Sequence, residues 1–377
     1  MKIAVIGNVD SGKSTLVGVL TKGELDDGRG ATRLKVFNYA HEVENGRTSS
    51  IAHEIMGFFK DGRQVVPKRY NPNKNKYWSK ITSKADKLLT FIDLCGHEKY
   101  LKTTMFGLIG LIPDYSMIIV GANMGVSRMT VEHINISLAL RIPFFVVITK
   151  IDICPKNIFD ETMTKLLKLL KSKAFNRKPF VYKSLSQEKA EEEIKFCAKN
   201  LKSNSICPVF IVSNVTGAGL GILKMFLSLL KDRSKQNKLI KKPSDPVIFD
   251  IHENFLVSGS GLVISGILKS GTIKIGSELL LGPDKEKLFK KIIVKGIHCM
   301  RRPVPEAVAG NFCCLNIRST NKKDEVSRKT FRKGMSLIDE SIKPKPIWEF
   351  EAEILVYKHS STIKVGYQAV LHCGVVR

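Results

Sequence analysis

Zinc-type cysteine spacing is missing from this chain. Its eight cysteines, at positions 95, 154, 197, 207, 299, 313, 314 and 373, form no CxxC pair, although Cys313 and Cys314 are adjacent. That excludes the common zinc modules by pattern, and a disulfide framework would be out of place in a chain of this length. The thiols are read as reduced and mostly buried. Acidic residues are also short: 35 Asp and Glu face 61 Lys and Arg, a net charge of +26. The imbalance is uneven, 40 basic against 21 acidic residues before position 245 and 21 against 14 from there on. Such a balance points to polyanionic partners, nucleic acid first and an anionic membrane surface second. No apolar run reaches about 18 residues, so no membrane-spanning helix is expected. The opening MKIAVIG is too short for a signal peptide, and the cytosol is the expected location. Apolar residues are plentiful at 43%, enough to bury real cores in a chain of 377 residues.

The chain changes texture twice. Up to about residue 235, short β-branched runs alternate with amphipathic ones. KIAVI (2–6), KLLTFID (87–93), SMIIVGA (116–122), PFFVVITK (143–150) and PVFIVS (208–213) read as buried parallel strands. SGKSTLVGVL, TVEHINISLAL, DETMTKLLKLLK and GLGILKMFLSLLK read as helices between and after them. The expectation is an α/β domain over 1–235, a parallel sheet flanked by helices. The polar basic stretch 232–246 reads as a linker. A glycine-rich, strand-like region over 246–342 predicts a closed antiparallel β-barrel. After Pro344 and Pro346, residues 346–377 read as the start of a second, truncated β-barrel, so the sequence is expected to end inside a domain.

Within that frame one stretch carries the first chemistry. GNVDSGKST places Gly7, Asn8, Val9, Asp10, Ser11, Gly12, Lys13, Ser14 and Thr15 between a strand and a helix. Small residues let backbone N–H groups approach phosphate oxygens, the helix N-terminus adds partial positive charge, Lys13 adds a full one, and Ser14 can ligate Mg²⁺. FIDLCGHEK follows: Asp93 at a strand end can reach the Mg²⁺ shell, Gly96 can offer its N–H to a γ-phosphate, and His97 points where an attacking water would lie. In TKID, Asp152 can accept two hydrogen bonds from guanine, an edge adenine lacks, and a buried Asp152 would discriminate strongly. Lys150 can lay its stem along the base, with Thr149 before it. SNVTG (Ser213, Asn214, Val215 and beyond) completes the base pocket. In HEVENGRTSSIAHEI, one hydroxyl can close the Mg²⁺ shell; Thr48 is the choice, with Ser49 and Ser50 as rivals.

GNVDSGKST, GRTSS, DLCGH, TKID and SNVTG, in this order, resemble the translational GTPases of the elongation factor Tu class. HEVENGRTSSIAHEIMGF, FIDLCGHEKYLKTTMFG, WEFEAEILV and QAVLHCG look like the GTP-binding protein 1 and 2 family within it, and FLVSGSGLVISG extends the likeness into the barrel. The resemblance implies a GTP/GDP-binding P-loop GTPase domain with Mg²⁺, followed by two barrels. It also implies work with the ribosome and with tRNA or a tRNA-like factor, in translation, rescue or mRNA-decay quality control, by a monomer. Asp10 matches a family Asp that can hold a monovalent cation near the β–γ bridge. Cys95 replaces the family's proline, and Thr149 replaces an Asn, which is expected to lose one amide contact. Val9 keeps half of an apolar gate around His97, whereas Arg47 stands where its other half would be.

Three readings stand beside one another. The first is a GTPase with slow intrinsic turnover and no evident internal arginine finger, activated by a large RNA-containing partner. The second is a GTP-gated module that recruits a factor to RNA or membrane, with hydrolysis incidental. The third, an ATP-using P-loop kinase, is disfavoured by Asp152. The basic stretch from Arg63 to Lys84 has seven cations and no acid, with Tyr70, Tyr77 and Trp78 interleaved. It suits RNA contact by charge and stacking, or else is a solvated loop between strands.

Overall fold

The computed structural model describes residues 1–67, 73–182, 187–201, 205–233, 239–321, 326, 330–332, 334–345, 349–353, 364–368, 371 and 373–374, the side chains of 187–190 excepted. Two compact units emerge, one of Met1–Leu108 with Ile112–Arg233, the other of Ile109–Leu111 with Ser234–Arg377. Among the described residues, no helix is long and apolar enough to cross a membrane.

The first unit is built on eight strands: β1 (Lys2–Gly7), β2 (Ala52–Phe58), β3 (Gln64–Val65), β4 (Lys87–Asp93), β5 (Tyr115–Gly121), β6 (Phe144–Thr149), β7 (Lys178–Tyr182) and β8 (Ile206–Ile211). They lie in the order β3-β2-β4-β1-β5-β6-β8-β7. From β4 to β7 all pairings are parallel, and burial on both faces explains the continuous apolar runs read from sequence. The sheet is nonetheless mixed, because β2 returns antiparallel along β4 and β3 along β2. The helices are α1 (Lys13–Lys22), α2 (Ala31–Leu34), α3 (Ala40–Asn45), α4 (Lys74–Thr82), α5 (Leu101–Gly110), α6 (Arg128–Ala139), α7 (Lys156–Lys171), α8 (Gln187–Asn200) and α9 (Leu220–Leu229). In the core, Phe145, Phe210 and Phe226 meet edge-on or tilted with centroids 4.8–6.0 Å apart, the arrangement the aromatic quadrupole favours.

The Arg63–Lys84 stretch corrects one expectation. Tyr77 and Trp78 lie on α4, are 2% and 5% exposed, and with Ile81 form its buried face. Tyr77 Oη donates to the Thr21 carbonyl at 2.9 Å, and Lys22 Nζ sits 4.9 Å from the Tyr77 ring centroid. Glu54 on β2 takes Lys22 at 2.6 Å and Lys74 at 3.0 Å. These two rings therefore dock α4 and are not available to stack on bases; Tyr70 lies outside the described residues. The periodicity that gave this away is Tyr77–Trp78–Ile81, one helical face.

The second unit holds β9 (Ile248–Val257), β10 (Gly261–Ser270), β11 (Thr272–Lys274), β12 (Glu278–Gly282), β13 (Lys290–Cys299), β14 (Arg302–Val304), β15 (Glu306–Val308), β16 (Phe312–Ser319) and β17 (Ser336–Ile338). Antiparallel neighbours run β12-β17-β9-β10-β16-β13, and β13 pairs back onto β12, which closes the ring and removes its free edges. Strict alternation on β16 sends Cys313, Leu315 and Ile317 inward to meet Phe249, Ile264, Ile292 and Leu337. The expected second barrel, from residue 346, falls largely outside the described residues.

One buried group gives this fold an acid sensitivity. His133 on α6 is fully buried, and among the described residues neither ring nitrogen has a hydrogen-bond partner. Burial, with a smaller contribution from the Lys13 charge, lowers its pKa from 6.5 to about 4. The folded chain thus keeps His133 neutral while the unfolded chain protonates it. The stability this neutrality contributes is complete above pH 6.5 and is lost as pH falls toward about 4, roughly 3 kcal/mol in all. His133→Leu is expected to hold stability near wild type at pH 7, because no hydrogen bond is lost, and to flatten the decline between those pH values. Urea midpoints of both chains across that range check it; parallel curves would refute it.

Candidate functional site

A reversal at the end of β1 makes the first wall. The chain turns through residues 8–12 into α1, with Asp10 and Gly12 at φ 55° and 84°. Glycine holds such a left-handed conformation at little cost. The loop is tied to itself: Ser11 Oγ and Lys13 Nζ both donate to the Asn8 carbonyl at 2.8 Å, and the Val9 N–H donates to Asn8 Oδ1 at 2.9 Å. Lys13 and Ser14 are buried at the start of α1, and Thr15 is half-buried beside them. Burial pulls the Lys13 pKa down, against the raising influence of Asp93.

Three oxygens from distant parts of the chain meet at Ser14. Its Oγ donates to Asp93 Oδ2 at 2.6 Å and lies 2.8 Å from Thr48 Oγ1. Asp93 is fully buried at the end of β4, and its Oδ1 has no hydrogen-bond partner among the described residues. Burial raises its carboxyl to about 6, with Lys13 and Ser14 acting in the opposite direction.

Of the three adjacent hydroxyls, Thr48 is the one that meets Ser14. Ser49 and Ser50 are both taken by Glu42 on α3. Glu42 Oε1 accepts from the two backbone N–H groups at 2.8 and 2.9 Å and from the two hydroxyls at 3.1 and 2.9 Å. Its Oε2 accepts from the N–H groups of Asn38 and Tyr39. Burial works to raise the Glu42 pKa, but these donors outweigh it and hold the group below its usual value. Glu42 was not singled out from sequence; its signal was a Glu at the third position of a short helix, the capping-box pattern.

Beyond Asp93, Cys95 is buried and within 3.6 Å of the Ser50 carbonyl, and burial pushes its thiol up to about 12. Gly96 sits tight against the phosphate loop: a Cβ there would fall 2.3 Å from Lys13 Nζ and 2.6 Å from the Gly7 carbonyl. His97 is exposed and lines the same open cleft as Val9, Gly12, Lys13, Ser14 and Thr48. Its Nδ1 accepts the Lys99 N–H at 3.0 Å, so in the neutral ring Nε2 carries the proton. Arg33, Gly46, Arg47 and Tyr100 also line that cleft. Arg47 faces Asp10 at 3.9 Å. Arg33 and Tyr100 were not singled out from sequence: Arg33 lies in no motif, and Tyr100 was passed over within FIDLCGHEKYLKTTMFG.

The other group of residues flanks the loop from behind. Thr149 is buried at the end of β6, and its Oγ1 donates to the Ser11 carbonyl at 2.6 Å. A hydroxyl at this position still ties β6 to the phosphate loop. Ser213 Oγ accepts from the Val215 and Thr216 N–H groups at 3.2 and 3.0 Å, which shapes the turn carrying Asn214. Asn214 is 6% exposed with a buried, unpartnered Oδ1, and Val215 is exposed. Lys150, at φ 62°, begins the turn that carries Asp152. Asp152 is exposed, because this turn lies outside the sheet. Discrimination by its carboxylate therefore requires a base to cover it.

The Elongation factor Tu GTP binding domain model matches residues 1–234. GTP-binding protein 1 of Xenopus laevis is 46% identical over 377 residues, all of this chain and 55% of that protein. GTP-binding protein 2 of Homo sapiens is 36% identical over 380 aligned residues, again all of this chain and 60% of the relative. The chain thus spans a little over half the length of these relatives. Elongation factor 1-alpha of Methanocella arvoryzae is 25% identical over 99% of the chain and 79% of its own length. Among solved structures, a bacterial selenocysteine-specific elongation factor aligns with a TM-score of 0.60 at 20% identity, covering 90% of this chain and 44% of that one. Elongation factor SelB of Methanococcus maripaludis, in complex with the GTP analogue GppNHp, gives a TM-score of 0.55 at 22% identity, covering 90% and 55%. At these identities the structures establish the fold.

Glu42 carries the local geometry, so its charge is testable. Glu42→Gln trades charge-assisted acceptance for a neutral amide and is expected to cost about 1–3 kcal/mol of stability. Amide hydrogen exchange at residues 46–51 should rise selectively over that of β1 and β4. Unchanged exchange there would show that the loop is held by something else.

Proposed function

As a member of the elongation factor Tu class of GTP-binding proteins, in the branch of GTP-binding proteins 1 and 2, this chain works, we propose, as a translational GTPase. The observation that carries the reading is the meeting of Ser14, Thr48 and Asp93 beside Lys13, with His97 on the same cleft. In this reading residues 7–15 and Gly96 hold the phosphates, and Thr149, Lys150, Asp152, Ser213, Asn214 and Val215 hold guanine. Domains run over 1–235, 246–342 and from 346 onward.

The oxygens around Ser14 fit Mg²⁺. Two hydroxyls and a carboxylate are hard donors, and the unpartnered Oδ1 of Asp93 leaves acceptor capacity to spare. Bound there, the ion would supply positive charge to the bridging region of the phosphates. Asp93 must be ionised to help, and the Lys13 charge works in that direction against burial. Lys13 neutralises phosphate charge. His97, with its proton on Nε2, donates to the oxygen of an attacking water and orients it rather than abstracting its proton. Water adds to the γ-phosphorus as the bond to the β–γ bridging oxygen breaks, the water's proton passes to a γ-phosphoryl oxygen, and GDP and phosphate leave. The Asp10 carboxylate already faces the Arg47 guanidinium, so a monovalent cation there would share it.

The excess of basic residues, and relatives named as elongation factors, support a ribosome as the activating partner and tRNA or a tRNA-like factor as cargo. Rescue or mRNA-decay factors are further partners in this reading, and the protein acts as a cytoplasmic monomer. The test is GTP turnover by the full-length protein with and without ribosomes. Ribosomes should stimulate turnover at least a hundredfold, on the order of what positioning of the water contributes. His97→Ala should remove that stimulation while leaving GTP affinity within about threefold. Stimulated turnover that survives the substitution would refute the role of His97. GTP-dependent RNA or membrane binding without stimulated turnover would favour the recruiting module.

A further inference from the structure

Arg33 lines the phosphate cleft, and among the described residues no acid pairs with it. It belongs to α2, and α2 is rigidly mounted. Asp26 accepts from the N–H groups of Gly28, Gly30 and Thr32 at 3.0–3.1 Å and from Thr32 Oγ1 at 2.7 Å. The Asp26 N–H donates in turn to the Asn214 carbonyl at 2.9 Å. On its other side α2 packs so closely on α1 that a Cβ at Gly18 would lie 2.5 Å from the Thr32 carbonyl oxygen. The side chain of Arg33 then runs between two glycines. A Cβ at Gly30 would fall 2.4 Å from its Nε, and one at Gly46 3.2 Å from a terminal nitrogen. Nε is buried without a hydrogen-bond partner, and among the described residues no carboxylate forms an ion pair with the guanidinium. Lys13, by contrast, has Asp93 nearby, and Arg47 has Asp10.

A guanidinium stays charged at any physiological pH, and partial burial without a counter-ion is costly. Three cations, Lys13, Arg33 and Arg47, converge on one cleft and repel one another. A polyphosphate relieves both costs, and the planar fork of an arginine suits its oxygens. We propose that Arg33 is an internal arginine for the terminal phosphate: it contacts the γ-phosphoryl oxygens and stabilises the charge that spreads over them as the bond to the bridging oxygen breaks. The inference rests on the nucleotide reading above and revises the expectation that the chain lacks such a residue. Because Arg33 is fixed to α1 and to the Asn214 turn, no partner protein has to supply it.

The test uses the full-length protein, Arg33→Gln, Arg33→Lys, and Arg29→Gln as an exposed-arginine control from the same segment. Affinities for GDP and for GppNHp are read by fluorescence with labelled nucleotides, and GTP hydrolysis by single turnover at saturation without ribosomes. Arg33→Gln should leave GDP affinity within about twofold, weaken GppNHp at least tenfold and slow the single turnover at least a hundredfold, below the upper range for arginine fingers. Arg33→Lys should recover part of the GppNHp affinity, and Arg29→Gln should match wild type. Melting temperatures of the variants confirm folding. A normal GDP affinity in wild type together with unchanged GppNHp affinity and turnover in Arg33→Gln would overturn this inference and leave the proposed function standing. Equal loss of GDP and GppNHp would also overturn it, since contact would then lie nearer the ribose. Failure of wild type to bind guanine nucleotides would remove both.

Discussion

The contact of Ser14 with Asp93 and Thr48 is the joint on which the first unit is organised. Ser14 rides on the first turn of α1, Asp93 ends β4, and Thr48 sits in the loop before β2. Neighbouring parallel strands β1 and β4 bring the first two together. The third arrives because Glu42 gathers the loop from 38 to 50 with six hydrogen bonds. A carboxylate that accepts so many donors is strongly held, and the loop is shaped by it before any partner is considered.

Around that joint, charge is arranged by depth. The surface is basic, while Lys22 and Glu54 are sealed inside with about 1% of their side chains exposed. Breaking a buried pair of this kind strands a charge and costs about 3–5 kcal/mol. The pair, with Lys74 and the Tyr77 ring, welds α4 to α1 and β2. Lys74 also donates to Asn38 Oδ1 at 3.2 Å. The same insertion thus reaches the segment that carries Glu42, so packing in the core and the shape of the cleft are mechanically connected.

Much of this was legible in the chain. Continuous apolar runs mark strands buried on both faces, and β1, β4, β5, β6 and β8 fall on the runs that predicted them. The phosphate loop announces itself through glycine, lysine and hydroxyl at set spacing, because backbone approach and helix-end charge demand those residues there. What the pattern did not carry was accessibility. Tyr77 and Trp78 looked like surface rings among cations and are core anchors. The Tyr77–Trp78–Ile81 spacing marks one helical face, but which neighbours cover that face is set by how the whole fold packs.

The sequence by itself determined the strand–helix alternation, the barrel texture after residue 245 and the motif positions, since these follow from local propensity and spacing. Only the tertiary structure decided which of three adjacent hydroxyls meets Ser14, that Thr149 ties β6 to the phosphate loop, and that Arg33 lines the cleft with its buried Nε unpartnered among the described residues. Each of those facts is a contact between residues far apart in the chain. Such contacts are set by how whole elements pack, and no window of neighbouring residues contains them.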